Sequence, residues 1–470
     1  ISEGGDSEIY KVLSTPEDPS IGLIYGLEAM AQAKSLSPRD FIKKVETIVH
    51  GTTVTTNAVL TRNGAKTGLL TTKGVRDALE MRRGIREEQY NNRYTNVQPL
   101  VQRYLRYPIE ERLDYKGDVV TEMKKSDVLD AAELFKKEGV EAIAICFMNS
   151  FANSSHEKIA AEIIDKQCPS TYLTISSEFL PSIRFYDRVS TTVLNSYVGP
   201  ILKTYLIRLN QKLKDIGFAG VLLIMQSNGG VVSPEIAIDN AAVTLLSGPA
   251  AGPVAGIEYT SIQGYDDCLT IDMGGTSFDA ALIKDKTPLV TTEGEIDRLR
   301  IALPMLGIVT IGAGVGSIGW VDEGGLLRMG PQSAGSNPGP ACYDLGGEMP
   351  TCTDADLMLG YLDKDFFAGG KIPLNHDRAE KAIKEKIAEL LGLDVVEAAA
   401  GMYRVINVNM ATGVREVSVK RGHDPREFPM VVAGGAGPVH AGMIGLELEI
   451  PVMIIPSESS IFCAAGMLMS

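Results

Sequence analysis

The sequence predicts an α/β fold in two domains, residues 1–240 and 241–470, and three observations carry the prediction. Strand-like and helix-like segments alternate regularly through the first half. Ala142 to Phe147 is a continuous apolar run, the mark of a strand buried on both faces of a mostly parallel sheet. In the second half, Ile271-Asp272-Met273-Gly274-Gly275-Thr276-Ser277-Phe278-Asp279 joins two apolar runs and reads as a β-hairpin with glycines at its bend.

Taken in order, Val45 to Val49 is a strand, and His50-Gly51-Thr52-Thr53 is a turn whose hydroxyls can cap a helix running to Arg62. Asn63-Gly64 stops that helix, Thr67 to Leu70 is a second strand and Gly74 to Arg83 a second helix. Glu87 to Tyr94 follows no period and reads as a surface or substrate-facing loop. Ser126 can cap a helix through Lys137, which Gly139 ends. The helix Ser155 to Cys168 and the strand Tyr172 to Ile175 repeat the alternation. Val189 to Leu213 is a long amphipathic helix. Val221 to Met225 is a strand whose polar tip, Gln226 to Gly230, lies where open α/β sheets place ligands.

Ser247-Gly248-Pro249 opens a small-residue helix just before the glycine hairpin. The glycines of Thr310 to Ile318 imitate a dinucleotide fingerprint weakly, since Trp320-Val321-Asp322 continues as strand instead of helix. Gly330 to Pro340 is too rich in glycine and proline for an element and reads as a shaped loop, lining a site or purely structural. Ala379 to Leu391 and Val395 to Val417 are helices. Met430 to Val432 is a buried strand that meets Gly434-Gly435-Ala436-Gly437-Pro438 and then a helix through Ile444.

Glycines at a hairpin bend let backbone N–H groups approach an anion, and Thr276 and Ser277 add hydroxyl donors. Asp272, entering the turn, is placed to hold a hydrated Mg²⁺ beside a phosphate. The order of small-residue helix, glycine hairpin, long insertion, helix and strand with GGAGP resembles the nucleotide-binding core shared by actin, the sugar kinases and the 70-kilodalton heat-shock chaperones. That resemblance implies a two-lobed actin-like ATPase fold, with the hairpin gripping phosphates and the late glycine turn against adenosine. The chaperones carry a carboxylate beside the proline that corresponds to Pro249. Ser247 and Gly248 stand there instead, so the chaperone base does not carry over.

Composition narrows the partners. The 470 residues, 44% hydrophobic and 22% charged, are those of an ordinary globular protein, and a net charge of −14 argues against nucleic acid or anionic membrane. Five scattered histidines make a His-rich metal site within the chain alone unpromising. Six cysteines without CxxC spacing suit a reducing compartment, and no apolar run is long enough to span a bilayer, so the cytoplasm is the expected location. Both ends read as cut, because the chain starts at Ile1 and its last residues enter a further element.

Longer motifs point to one family. His50-Gly51-Thr52-Thr53 with Asn57-Ala58, and Gly68-Leu69-Leu70-Thr71-Thr72-Lys73-Gly74, resemble the N-terminal region of the hydantoinase A and 5-oxoprolinase family. The IDMGGTSFD hairpin, Gly330 to Gly335 with Pro338 to Tyr343, Thr353-Asp354-Ala355-Asp356-Leu357, and the GGAGP turn running into His440-Ala441 resemble its ATP-binding part. The likeness covers essentially the whole chain. It implies an ATP-binding subunit that uses ATP and Mg²⁺ and pairs with a hydantoinase B-type subunit in a hetero-oligomer. Family members carry a first glycine-rich phosphate hairpin ahead of the segment corresponding to Ile1, and truncation is the expected reason that it is missing here.

The chemistry so implied is phosphorylation of a carbonyl oxygen, which makes a cyclic amide (hydantoin, 5-oxoproline or lactam) open to water. An acetone or acetophenone carboxylase subunit, or a catalytically silent structural subunit, stand as alternatives. In this scheme Asp272 holds the metal, Gly274, Gly275, Thr276 and Ser277 grip phosphate, and Gly434, Gly435 and Gly437 leave room for adenosine. His50 and Thr52 are the substrate-side catalytic candidates, against a capping role for Thr52 and a satisfied hydrogen bond for His50. Asp279 supports the hairpin instead of touching the ion, and His440 is expected to be structural.

Overall fold

The computed structural model describes residues 7–12, 15, 17–84 and 86–470. The start of the chain at Ile1, where the sequence reads as cut, lies outside them. The chain forms two compact units, one of residues 1–248 with 290–305, the other of residues 249–289 with 306–470. Among the described residues no helix is long and apolar enough to cross a membrane.

The first unit is built on a four-stranded parallel sheet in the order Arg106–Ile109, Thr67–Thr72, Ala142–Cys146, Tyr172–Ile175. Ala142–Cys146 is buried along its whole length, as an unbroken apolar run requires of an inner parallel strand. The helices Lys125–Lys137 and Ser155–Gln167 turn Val128, Ala131, Ala132, Phe135, Ala160 and Ile164 onto this core. A second, smaller sheet pairs Thr47–His50 in parallel with Val221–Met225, which turns back through Gln226–Gly230 into Val231–Val232.

Two expectations need correction here. The helix foreseen over Gly74 to Arg83 is only Ala78–Met81. The long helix is Phe185–Asp215, and it is not amphipathic through its first half, where every residue from Asp187 to Gly199 is buried. It runs beside the strands Ala142–Cys146 and Tyr172–Ile175 and also beside residues 241–244 and 299–301, so it has no solvent face there. Its threonine hydroxyls bond locally, Thr191 Oγ1 donating to the Asp187 carbonyl at 2.6 Å and Thr192 Oγ1 to that of Arg188 at 2.7 Å, while Ser190 Oγ donates to the Arg300 carbonyl at 2.8 Å. A polar stripe therefore imitates an exposed face in the sequence while lying inside.

The second unit carries one mixed sheet in the order Thr287–Pro288, Phe278–Lys284, Cys268–Met273, Met430–Ala433, Met453–Ile454. The first three strands are antiparallel, and the last two run parallel to Cys268–Met273. A mixed sheet flanked by helices is the α/β class that the sequence predicts. Alternation sorts the faces. Leu269, Ile271 and Met273 pack with Met410, Val414 and Val417 of the helix Val395–Val417, whose bounds are those expected. Cys268 lies on the other face with Ala255, of the helix Ser247–Ile262, and with Phe462. Residues 327–333 are a strand paired with Ser317–Val321, so the segment read as loop from Gly330 is strand for its first four residues. Its glycine takes a φ of 64° there, and the Gly330 carbonyl accepts from Trp320 Nε1 at 2.9 Å.

Close helix-on-sheet packing in the first unit makes one position intolerant. A Cβ at Gly68 would sit 2.7–2.9 Å from three carbons of the fully buried Phe135 ring. Gly68→Ala is expected to destabilise the protein by about 1–3 kcal/mol, read as a lower midpoint in urea with an unchanged slope. A variant as stable as the parent would show that helix and sheet can part at no cost.

Candidate nucleotide site

The site is built where the hairpin and the late glycine turn meet, within the second unit. Cys268–Met273 and Phe278–Lys284 pair so that Asp272 stands directly opposite Asp279. Directly opposed residues share a face, which brings the two carboxylates side by side. The neighbouring strand Val309–Ile311 places Thr310 opposite Asp279, and its hydroxyl donates to Asp279 Oδ1. Cys463, near the start of the helix Phe462–Leu468, donates its thiol to Asp272 Oδ2 at 3.3 Å.

Burial shapes the electrostatics. It pushes Asp279 up to about 6, with the Thr310 hydrogen bond pulling the other way and the Asp272 charge adding to the rise. Burial also raises Asp272, opposed by the Cys463 hydrogen bond. Two half-buried acidic groups side by side concentrate negative charge at this end of the hairpin.

The bend is shaped from beneath. The Gly274 amide donates to the Ser277 carbonyl at 3.0 Å and closes the turn. The Gly274 and Gly275 carbonyls accept from Val315 and Gly316 at 3.2 and 2.8 Å, and a Cβ on Gly314 would lie 2.6 Å from the Thr276 nitrogen. The glycines at 312–316, whose pattern imitates a dinucleotide fingerprint, thus form the bed of the hairpin. Among the described residues the amides of Gly275 and Thr276 find no acceptor, and both residues are exposed. Free amides over an open face are a ready anion cradle.

Gly434 is buried with a φ of 85°, and a Cβ there would collide with the Met273 carbonyl and lie 2.6 Å from Asp272 Oδ1. The two glycine motifs, some 160 residues apart in the sequence, are therefore in contact. Gly435 is exposed, and a Cβ there meets nothing, so space opens beside it. Gly437 differs: its missing side chain would lie 3.1 Å from Val432 Cγ1, and its role is to seat the helix Gly437–Leu448 on the sheet.

His50 and Thr52 belong to the first unit. His50 Nε2 shares a 2.7 Å hydrogen bond with the Tyr205 hydroxyl, and burial pushes the imidazole down to about 4, so it is neutral at physiological pH. Thr52 Oγ1 accepts from the Val54 amide at 3.2 Å at the start of the helix Val54–Leu60. Both side chains thus have partners. Sequence reasoning missed Cys463, Thr310 and the bed at 312–316. Only the last left a signal, a run of small residues following the strand Val309–Ile311.

The raised carboxylate sets a pH dependence. A folded value near 6 against an unfolded one near 4 means that ionised Asp279 costs stability at neutral pH. The cost recedes as pH falls through 6 and vanishes below the unfolded value. Asp279→Asn is expected to raise the stability of the metal-free protein at pH 7.5 by on the order of 2 kcal/mol, with the gain shrinking as pH falls through 6 and gone only below about pH 4. A gain independent of pH would show that the carboxylate is not the cause.

Known proteins share this architecture. Residues 1–168 match the hydantoinase/oxoprolinase N-terminal region, and residues 188–470 match hydantoinase/oxoprolinase. The chain is 38% identical over 468 residues to caprolactamase subunit alpha of Pseudomonas jessenii, covering 99% of this chain and 67% of that protein. It is 36% identical over 477 residues to the acetophenone carboxylase gamma subunit of Aromatoleum aromaticum, covering 98% of this chain and 65% of that one. The crystal structure of ATP-dependent caprolactamase from Pseudomonas jessenii superposes with a TM-score of 0.90, over 99% of this chain and 68% of that one. The chain thus spans about two thirds of the length of these relatives.

Proposed function

Because the chain belongs to the hydantoinase/oxoprolinase family, we propose that it is the ATP-using subunit of an enzyme complex that opens a cyclic amide, with residues 241–470 holding the nucleotide. The observation that carries the proposal is the meeting of the hairpin with the Gly434 turn. Free amides at Gly275 and Thr276, a half-buried carboxylate pair and open space at Gly435 together offer what a magnesium nucleotide needs. When bound, Mg-ATP supplies the phosphoryl group that activates a carbonyl oxygen.

Each residue then has a physical task. Asp272 positions the metal, and a divalent cation beside it reverses the penalty that burial places on its charge. Asp279, fixed by Thr310, keeps Asp272 in place and adds to the negative field. The amides of Gly275 and Thr276 and the hydroxyls of Thr276 and Ser277 orient phosphate oxygens, and Gly274 keeps the bend tight. Such transfer is catalysed by positioning and charge neutralisation, which a rigid hairpin provides. His50, neutral and hydrogen-bonded to Tyr205, is suited to orient a carbonyl substrate, with Thr52 beside it. The complex includes a hydantoinase B-type subunit, which takes up the activated carbonyl before water reaches it. Similarity to a carboxylase subunit supports a second reading, activation of a ketone for attack on bicarbonate.

Asp272→Asn in the full-length complex is expected to cut ATP hydrolysis by roughly 10²–10³-fold with an unchanged circular dichroism spectrum, and near-normal turnover would remove Asp272 from the metal site. The substrate is decided by phosphate release. Release on addition of a lactam alone supports the hydrolase, whereas a requirement for ketone and bicarbonate together selects the carboxylase. No phosphate release under either condition would leave a catalytically silent structural subunit.

A further inference from the structure

Behind the glycine turn lies a second cluster that the nucleotide chemistry does not use. Cys352 and Asp356 are four residues apart on the helix Cys352–Met358 and so share a face, and His440 comes from the helix Gly437–Leu448. All three are buried, none more than 2% exposed. Cys352 Sγ lies 3.5 Å from His440 Nε2 and 3.6 Å from Asp356 Oδ2, and His440 Nε2 lies 3.4 Å from Asp356 Oδ2. Asp356 Oδ1 is buried with no hydrogen-bond partner.

The proton inventory does not close on these atoms alone. Asn407 Nδ2 donates to the Tyr403 carbonyl at 2.6 Å, which turns its Oδ1 to His440 Nδ1 at 3.3 Å. An amide oxygen only accepts, so Nδ1 carries the hydrogen, and in a neutral ring Nε2 presents a lone pair. That lone pair faces a carboxylate oxygen, also an acceptor. The one thiol hydrogen can serve Nε2 or Oδ2 but not both, and Oδ1 is left bare in either case. Something positive belongs between the three atoms.

The spacing says what. Metal bonds of about 2.0 Å to nitrogen and oxygen and about 2.3 Å to sulfur, at tetrahedral angles, put ligand atoms about 3.3–3.5 Å apart. The three observed edges fall at or just beyond that range, and the one between His440 Nε2 and Asp356 Oδ2 is long for a hydrogen bond between nitrogen and oxygen. We propose that Cys352, Asp356 and His440 bind a structural divalent cation of the zinc class, tying the helix Cys352–Met358 to the helix that begins at the glycine turn.

The thiol proton leaves to solvent as the sulfur–metal bond forms. Thiolate, carboxylate and a doubly charged ion then sum to zero, which a buried site requires. Burial, with Asp356 adding to it, holds the free thiol well above its ordinary value, and a bound cation reverses that order. Asn407 is the outer partner that fixes the imidazole tautomer, as carbonyl oxygens do behind ligating histidines, and Tyr403 stacks on the ring with centroids 5.0 Å apart. Complete burial excludes a substrate, so the cluster is no catalytic triad. The rival is an imidazolium held by the carboxylate with no metal.

The full-length protein, treated with chelator and then given Co²⁺ alone, separates the two. The expected result is one Co²⁺ per chain, with a thiolate-to-cobalt charge-transfer band, and displacement by Zn²⁺. Cys352→Ser should abolish the band and weaken Zn²⁺ binding by on the order of 100-fold. Cys463→Ser should keep the band, because that thiol lies at Asp272 instead. If Cys352→Ser fails to fold, Asp356→Asn, which keeps the side chain's shape, should show the same weakening with a native circular dichroism spectrum. A wild type that binds no Co²⁺, or a band that survives Cys352→Ser, would overturn the proposal and leave the imidazolium pair.

Discussion

The candidate nucleotide site depends on one close approach, the backbone at Gly434 lying against Met273 and Asp272. A side chain there has no room, and the φ of 85° is one that L-residues rarely adopt. The Gly434 amide is also taken, by the Ser459 carbonyl at 2.8 Å. Three stretches of chain are thus gathered at one residue: the end of the first hairpin strand, the turn after Met430–Ala433, and the segment leading to Cys463. Parallel pairing of Cys268–Met273 with Met430–Ala433 brings them to the same end of the sheet. The open space beside Gly435 exists because Gly434 has none.

The carboxylate pair sits at that junction at a cost. Strand register forces Asp272 and Asp279 onto one face, and burial raises both. A folded protein that keeps two reluctant anions together is less stable than it could be and is better prepared for a cation. Binding recovers free energy that folding gave up, since a ligand that binds only the native state adds to its stability. Function and stability pull in opposite directions at this hairpin, as they commonly do at sites.

Much of this was legible in the sequence, and the reasons differ by element. The hairpin, the helix Val395–Val417 and the strand Ala142–Cys146 announce themselves because period and burial agree. The long helix was misjudged on its first half, because Ser190, Thr191, Thr192 and Asn195 look like a solvent face and are instead satisfied inside. The strand Leu327–Ser333 hides behind glycine and proline, which local propensity reads as breakers while pairing with Ser317–Val321 overrides them. At the site, glycine spacing marks Gly434, Gly435 and Gly437 alike and does not separate Gly435, beside which space is open, from Gly434, packed on Met273, and Gly437, packed on Val432. Thr310 and Cys463 carry no local pattern at all. They matter only through register and long-range packing, and neither is written in a neighbouring residue.

The division of the chain has a consequence for how the protein is made. Residues 290–305 belong to the first unit although residues 249–289, which precede them, belong to the second. Ile296, Leu299, Ile301, Leu303 and Met305 complete the apolar core around Leu202, Leu206, Leu209 and Ile224. As the ribosome releases the chain from its N-terminus, the first unit stands with that core unfinished while the glycine hairpin emerges. Only when Met305 is clear can the first core close, and the second must still await Met430. The nascent chain exposes that apolar surface until residues 290–305 are made, and a chain ended at residue 248 would expose it permanently.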